Sequence, residues 1–301
     1  MLLEPPRPEG LPSGGFRYQQ RIVAALGPAA RRVEVAPPEL RRCVRLLQRG
    51  QPDATVIVDG WFADLLDAPL PPNVTALLHM VPARTPWSEA PLHVVATGQP
   101  TASAVAAAAR RVDIVRPGID GCFTPQPRRG DPTLAFVCAG TICPAKGQRR
   151  LVAMLRALTT PWRLTLVGSM TRDPGEVTAL RREAAGLPVT VLDAVPVERL
   201  AELYREHDVF ASLSGSESFG MAAAEGVAAG LVLFGLDTGE LATFGDDRSR
   251  ALLPPDANDD DVRARLRALA ADPPPRRRRT AEPRSWHAAA AELRAAIRAA
   301  D

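Results

Sequence analysis

Two carboxylates, Glu217 and Glu225, are separated by seven residues and straddle the sequence Ser218-Phe219-Gly220-Met221. The apolar run before them ends near Leu213, and a helix is expected from Gly220 to Ala229, so the pair brackets a strand-to-helix turn. The N–H groups of a helix start have no partner within the helix and sit at the positive end of its dipole. Such a turn is therefore a ready site for a diphosphate. Gly220 lets a ligand come close to the backbone, with Phe219 and Met221 on either side. Glu217, ahead of the helix, is placed to accept hydrogen bonds from sugar hydroxyls. Glu225, past the first turn, can reach a ribose diol. The blander alternative is that Ser216 or Ser218 caps the helix and both glutamates face solvent. Against it, Glu225 stands among Ala222–Ala224 and Gly226–Ala229, where a buried acid requires a partner.

Lys146 is the only lysine in a chain of 37 lysines and arginines, and it lies in Gly140-Thr141-Ile142-Cys143-Pro144-Ala145-Lys146-Gly147. This segment also joins an expected strand to an expected helix. A compact ammonium there would neutralise charge that develops on a leaving diphosphate. The spacing is not that of a P-loop. A third group comprises Gly14, Gly15 and His79, with Asp59 and Asp120 at other strand ends. The two glycines leave room for a ligand against the backbone. For His79 the competing reading is an ordinary hydrogen-bonded histidine, and for the aspartates a turn cap.

The elements that must carry these residues alternate between strand and helix. Met1–Pro5, Thr55–Val58, Val74–Leu78, His93–Thr97 and Val112–Val115 are short apolar runs without alternation, as buried parallel strands are. Helices are expected at Phe16–Leu26 and Ala102–Arg110. A second series has strands at Leu134–Cys138, Arg163–Val167, Val189–Leu192, Val209–Leu213 and Leu231–Phe234. Its helices are expected at Gly147–Leu158, Glu176–Ala185, Val197–Glu206 and Asp261–Ala271, with a last one at Ser285–Ala300. The fold class is thus α/β, with a doubly wound, Rossmann-like parallel sheet in each half. A linker rich in proline, glycine and arginine at 121–132 suggests domains at 1–124 and 125–301, the final helix packing back on the first.

Composition narrows the function classes. The formal charge of +3 on 301 residues gives no field that points to nucleic acid. The arginines at 276–279 fit a solvated connector or a phosphate or lipid contact, and an arginine face leaves a peripheral membrane contact open. Cys43, Cys122, Cys138 and Cys143 match neither CxxC nor zinc-knuckle spacing and fit a reducing cytoplasm. No signal segment and no long apolar span is read from the sequence. A dehydrogenase would need a GxGxxG turn, which neither half contains, and no paired-histidine arrangement suggests a metal.

With these residues in view, the sequence resembles retaining glycosyltransferase family 4, of GT-B fold, over roughly residues 1 to 300. The likeness rests on the glutamate-seven-glutamate element at Glu217 to Glu225, on Pro144-Ala145-Lys146-Gly147-Gln148, on Arg116-Pro117-Gly118-Ile119-Asp120, and on Ser13-Gly14-Gly15. The resemblance implies two Rossmann-like domains facing a central cleft and a metal-independent, hexosyltransferase-like enzyme with no cofactor beyond its nucleotide-diphosphate-sugar donor. By that likeness Glu225 binds the ribose and Glu217 the transferred sugar. Lys146 holds the diphosphate with amides near Gly220 and Met221, Gly15 lines it from the other domain, and His79 lies near the reacting sugar. The sequence departs from the family at Thr141, where an arginine is usual, and in the short stretch from His79 to His93. The acceptor implied is small-molecule or glycan, the assembly a monomer or homodimer. Two alternatives stand beside this one: a non-catalytic nucleotide-sugar-binding or assembly protein, and a transferase with an inorganic or thiol-like nucleophile.

Overall fold

A computed structural model describes residues 1–6, 14–51, 53–65, 73–85, 87, 91–125, 133–272 and 283–299. Ser13, most of the expected linker and the Pro273–Arg279 connector lie outside these. The chain separates into two units, one of Met1–Pro8, Gly15–Gly118 and Arg284–Asp301, the other of Glu9–Gly14 and Ile119–Pro283.

In the first unit the elements run β1 (Leu2–Glu4), α1 (Gly14–Leu26), β2 (Arg32–Glu34), α2 (Leu40–Gly50), β3 (Val56–Asp59), β4 (Val74–Leu78), β5 (His93–Ala96), α3 (Gln99–Val105) and β6 (Arg111–Ile114). All strands are parallel, in the order β2-β1-β3-β4-β5-β6. Strands β3, β4 and β5 are buried at every position, mostly apolar but with Asp59, Thr75 and His93 among them. Three details differ from the sequence reading. Strand β2 and helix α2 were not anticipated, because Arg32–Glu34 is polar at both ends and arginines interrupt the apolar positions of α2. Helix α1 begins at Gly14, ahead of Phe16. Helix α3 starts at Gln99, behind an extended Gly98 with Pro100 in its first turn, and stops at Val105.

The second unit repeats the plan with β7 (Leu134–Ala139), α4 (Gln148–Leu155), β8 (Trp162–Val167), α5 (Pro174–Ala184), β9 (Val189–Leu192), α6 (Val197–Arg205), β10 (Val209–Ser212), α7 (Met221–Ala228), β11 (Val232–Leu236), β12 (Arg250–Leu253) and α8 (Asp259–Ala271). The sheet is again parallel, ordered β12-β11-β10-β7-β8-β9. Strand β12 is a further element that the sequence reading lacked. Helix α8 starts two residues earlier than expected, since Asn258 and Asp261 form a capping box.

The division falls after Gly118, ahead of the 124/125 boundary expected from composition. Burial explains the difference. Phe123 is fully buried in the second unit's core, its ring 5.5 Å from that of Tyr204, and Ile119 and Cys122 pack on the same cluster. The last helix, α9 (Trp286–Arg298), is capped by Ser285 and belongs to the first unit. There Trp286 meets the buried Tyr18 edge to face at 5.6 Å, and the Tyr18 hydroxyl donates to the Val115 carbonyl at 3.0 Å. The backbone of Trp286 crosses Gly118 so closely that a Cβ there would lie 2.4 Å from its nitrogen. Gly118→Ala is therefore expected to lower stability by about 1–3 kcal/mol, measured by urea unfolding. An unchanged midpoint would contradict this packing.

Candidate functional site

In the second sheet the chain runs outward from β7 to β8 and β9, then returns to the other flank of β7 with β10. Strands β7 and β10 thus border the point where the winding reverses. Ligands of doubly wound sheets lie beyond the C-terminal ends of such strands. Both halves of the sequence motif emerge there, with Lys146 after β7 and Glu217 after β10.

The two loops are bound to one another. The Gly215 N–H donates to the Ala145 carbonyl at 3.0 Å, and the Ser214 hydroxyl donates to Ser216 O at 3.0 Å. Gly147 takes φ +67° in the left-handed region, and a Cβ would sit 2.3 Å from the Leu213 carbonyl oxygen. Only glycine meets both demands. This residue separates the 3-10 turn Pro144–Lys146 from α4, so the helix begins after Gly147 rather than at it. Gln148, which sequence reasoning passed over, is buried at the start of α4 and donates to the Thr141 carbonyl at 3.0 Å. It ties down the loop that carries Thr141. Arg172, a substitute cation in principle, is exposed.

This packing delivers Lys146 to Glu217, with Nζ and Oε1 2.5 Å apart and the side chains 30% and 20% exposed. Behind Glu217 is Gly239, where a Cβ would be 2.7 Å from the Glu217 Cβ. Phe219 is buried against Phe244 at 5.0 Å, and its carbonyl accepts from the Glu240 N–H at 3.2 Å. Gly220 adopts φ +96° and precedes α7, whose start has no side-chain cap. The N-cap position is thus a glycine, which leaves room against the backbone at the start of the helix. Glu225 is 1% exposed in α7, which settles the solvent-facing alternative against it. Gly226, with a Cβ position 3.0 Å from the Phe210 ring, lets α7 lie tight on β10.

In the first unit the winding reverses between β1 and β3. Asp59 ends β3 and His79 follows β4. One Asp59 oxygen accepts from the Trp61 N–H at 2.5 Å, the turn cap considered above. The other faces His79 Nε2 at 3.8 Å. Gln19 Nε2 lies 3.3 Å from the same ring nitrogen, and Tyr18 packs edge-on at 5.1 Å. Gly15 backs His79, since a Cβ there would be 3.1 Å from its Cδ2. Gly14 opens α1 and is exposed. Gln19 carries no sequence signal of its own beyond its place one turn after Gly15. Asp120 is half-buried, and its carbonyl accepts from the Phe123 N–H. Among the described residues no cluster of His, Cys, Asp and Glu could hold a metal, and no helix is long and apolar enough to cross a membrane.

Known proteins resemble this chain in part of its sequence and in its fold. Residues 132–272 match the family described as "Glycosyl transferases group 1". Over these residues the chain is similar to the group 1 glycosyltransferases. A D-inositol 3-phosphate glycosyltransferase of Mycobacteroides abscessus is 35% identical over 160 residues, which is 48% of this chain and 36% of that protein. The chain thus matches about a third of the length of that relative. Among solved structures, a sucrose-phosphate synthase from Thermosynechococcus elongatus superposes with a TM-score of 0.72 at 15% identity, over 99% of this chain and 93% of that one. Anabaena HepE, solved with UDP and glucose, gives 0.68 at 15% identity over 100% and 95%. At these identities the likeness establishes the fold, two Rossmann-like parallel sheets of the GT-B class.

Burial, helped by nearby Glu4 and opposed by the Trp61 N–H, pushes the Asp59 carboxyl up to about 7. Burial also pulls the His79 imidazole down to about 4. Between about pH 4 and 6.5 the folded state thus holds a proton on Asp59 that the unfolded chain loses, and lacks one on His79 that the unfolded chain binds. The two slopes of stability against pH oppose each other. In Asp59→Asn only the His79 contribution remains, so stability relative to wild type should rise with pH across this window, by up to about 1.4 kcal/mol per pH unit. In His79→Gln it should fall as pH rises towards 7. Urea unfolding across pH checks both, and parallel curves for all three proteins would refute the assignment.

Proposed function

We propose that the chain is a retaining glycosyltransferase that moves a sugar from a nucleoside-diphosphate donor to an acceptor hydroxyl. The observation that carries this reading is the Lys146–Glu217 pair at the β7/β10 reversal, with Gly220 opening α7 three residues after Glu217 and Glu225 buried within that helix. A diphosphate here meets one ammonium and the backbone N–H groups after Gly220, with Phe219 and Met221 flanking. Glu225 takes the ribose hydroxyls. Glu217 holds Lys146 in place and presents its carboxylate to the sugar.

The bond between the anomeric carbon and the β-phosphate oxygen breaks, and its electron pair stays on that oxygen. Lys146 and the α7 dipole stabilise the charge that develops there, which is where electrostatic catalysis acts. The acceptor hydroxyl attacks from the face the diphosphate leaves, and its proton passes to the nearby departing oxygen. This same-face course retains configuration without a strong protein base. His79, supported by Gly15 and Asp59, is assigned to the sugar from the first unit. Gly14 and Gly15 are assigned to the donor's diphosphate.

The relatives are named for an inositol phosphate acceptor, but the family match covers residues 132–272 and bears on the donor half. We assign the acceptor as a small molecule or glycan. Free Cys43, Cys122, Cys138 and Cys143 suit a cytoplasmic protein, monomeric or homodimeric. Thr141, by leaving Lys146 without the family's second cation, favours one other reading, a nucleotide-sugar binder without turnover.

The test is a thermal-shift panel of nucleotide sugars followed by donor turnover and product mass spectrometry. Lys146→Ala is expected to lower kcat by about a hundredfold or more. Glu225→Ala should act mainly by raising the donor KM, about tenfold or more for a lost charged hydrogen bond. Near-normal kinetics in both variants would overturn the site. Saturable donor binding with no turnover across acceptors would leave the binder reading.

A further inference from the structure

Helix α2 carries a face that the site does not use. Its inner side is built from Leu40 and Val44, buried in the first sheet's core, with Cys43 and Leu47 packed beside them. Its outer side presents Arg41, Arg42, Arg45 and Arg49, all exposed. At 3.6 residues per turn, these four and Leu46 fall within one arc of about 140°. Leu46, at the edge of this arc next to Arg42, is 56% exposed. No acidic residue occurs from Leu40 to Gly50.

Arginine is abundant throughout this chain, and on several other helices carboxylates meet it. Arg199 pairs with Glu202 on α6, Arg263 with Asp260 on α8, and Arg284 with Glu292 on α9. Arg149 bridges Glu176 and Glu183. Among the described residues no ion pair engages Arg42, Arg45 or Arg49. The face of α2 is therefore a local concentration of four arginines with no acid on the same helix, in a chain whose net charge is only +3.

Such a face attracts any polyanion, and Leu46 discriminates among them. Single-stranded nucleic acid is held by aromatic stacking along a basic groove, and α2 contains no aromatic residue. At an anionic bilayer the arginines meet lipid phosphates while an exposed aliphatic side chain enters the acyl boundary. We propose that the α2 face of Arg41, Arg42, Arg45, Leu46 and Arg49 docks the protein on an anionic phospholipid surface. Docking of this face is independent of whether the second unit turns over a sugar donor.

The experiment is co-sedimentation of the full chain with phosphatidylcholine vesicles, with and without phosphatidylglycerol, at low and high salt. Binding to the anionic vesicles is expected to be about tenfold stronger than to neutral ones and to weaken with salt. The combined change Arg42→Glu, Arg45→Glu, Arg49→Glu should abolish that difference with the circular dichroism spectrum unchanged. Leu46→Ser, a milder surface change that keeps every charge, should weaken anionic-vesicle binding several-fold. Equal partition onto both vesicles, no binding, or full binding by Leu46→Ser would overturn the assignment. Preference for homopolymeric RNA over anionic vesicles in competition would do so as well.

Discussion

At Gly147 a left-handed backbone passes directly against the Leu213 carbonyl, in a contact that no side chain could share. This approach brings the loop after β7 onto the loop after β10, and the charged groups of the second unit are placed by it. Similar crossings occur nearby. Cβ atoms at Gly168 and Gly235 would fall 2.0 Å from the Gly140 carbonyl oxygen and 1.9 Å from that of Ser212. The strand ends are thus packed backbone against backbone, and Lys146 and Glu217 come together where the sheet reverses its winding. An anion site assembled from a flexible ammonium gains most when the loop beneath it cannot move.

The two units handle charge in opposite ways. In the second, Lys146 and Glu217 are partly open to water and pair with each other, so charge is kept there. In the first, Asp59 and His79 are buried enough that burial works against the charged form of each. One arrangement suits a diphosphate. The other keeps the imidazole neutral and the carboxyl near half-protonated around pH 7, a set of donors and acceptors that suits hydroxyl groups. This difference follows from sheet position and depth, since both pairs follow C-terminal strand ends.

Much of the fold could be read from the sequence because parallel strands buried on both faces leave continuous apolar runs, as in Val74–Leu78 and Leu134–Ala139. The elements missed had weaker patterns. β2 has three residues, two of them charged, and the apolar positions of α2 are diluted by arginine. The Lys146 and Glu217 segments stood out in the sequence for a local reason, as their glycines and charged residues lie in two short loops, with Glu225 in the helix that follows. The partnership of Asp59, Gln19 and His79 did not, because it joins three segments that only the sheet order brings near. Likewise, nothing in the spacing of Gln148 marks it as the side chain that ties down the Thr141 loop.

The central claim is that a nucleoside diphosphate sits over the β7/β10 reversal. A crystal structure of the full chain soaked with a nucleoside diphosphate tests it most directly. The account predicts the β-phosphate within hydrogen-bond distance of Lys146 Nζ and the Met221 N–H, with the ribose on Glu225. A diphosphate bound elsewhere, with the start of α7 unoccupied, would contradict it.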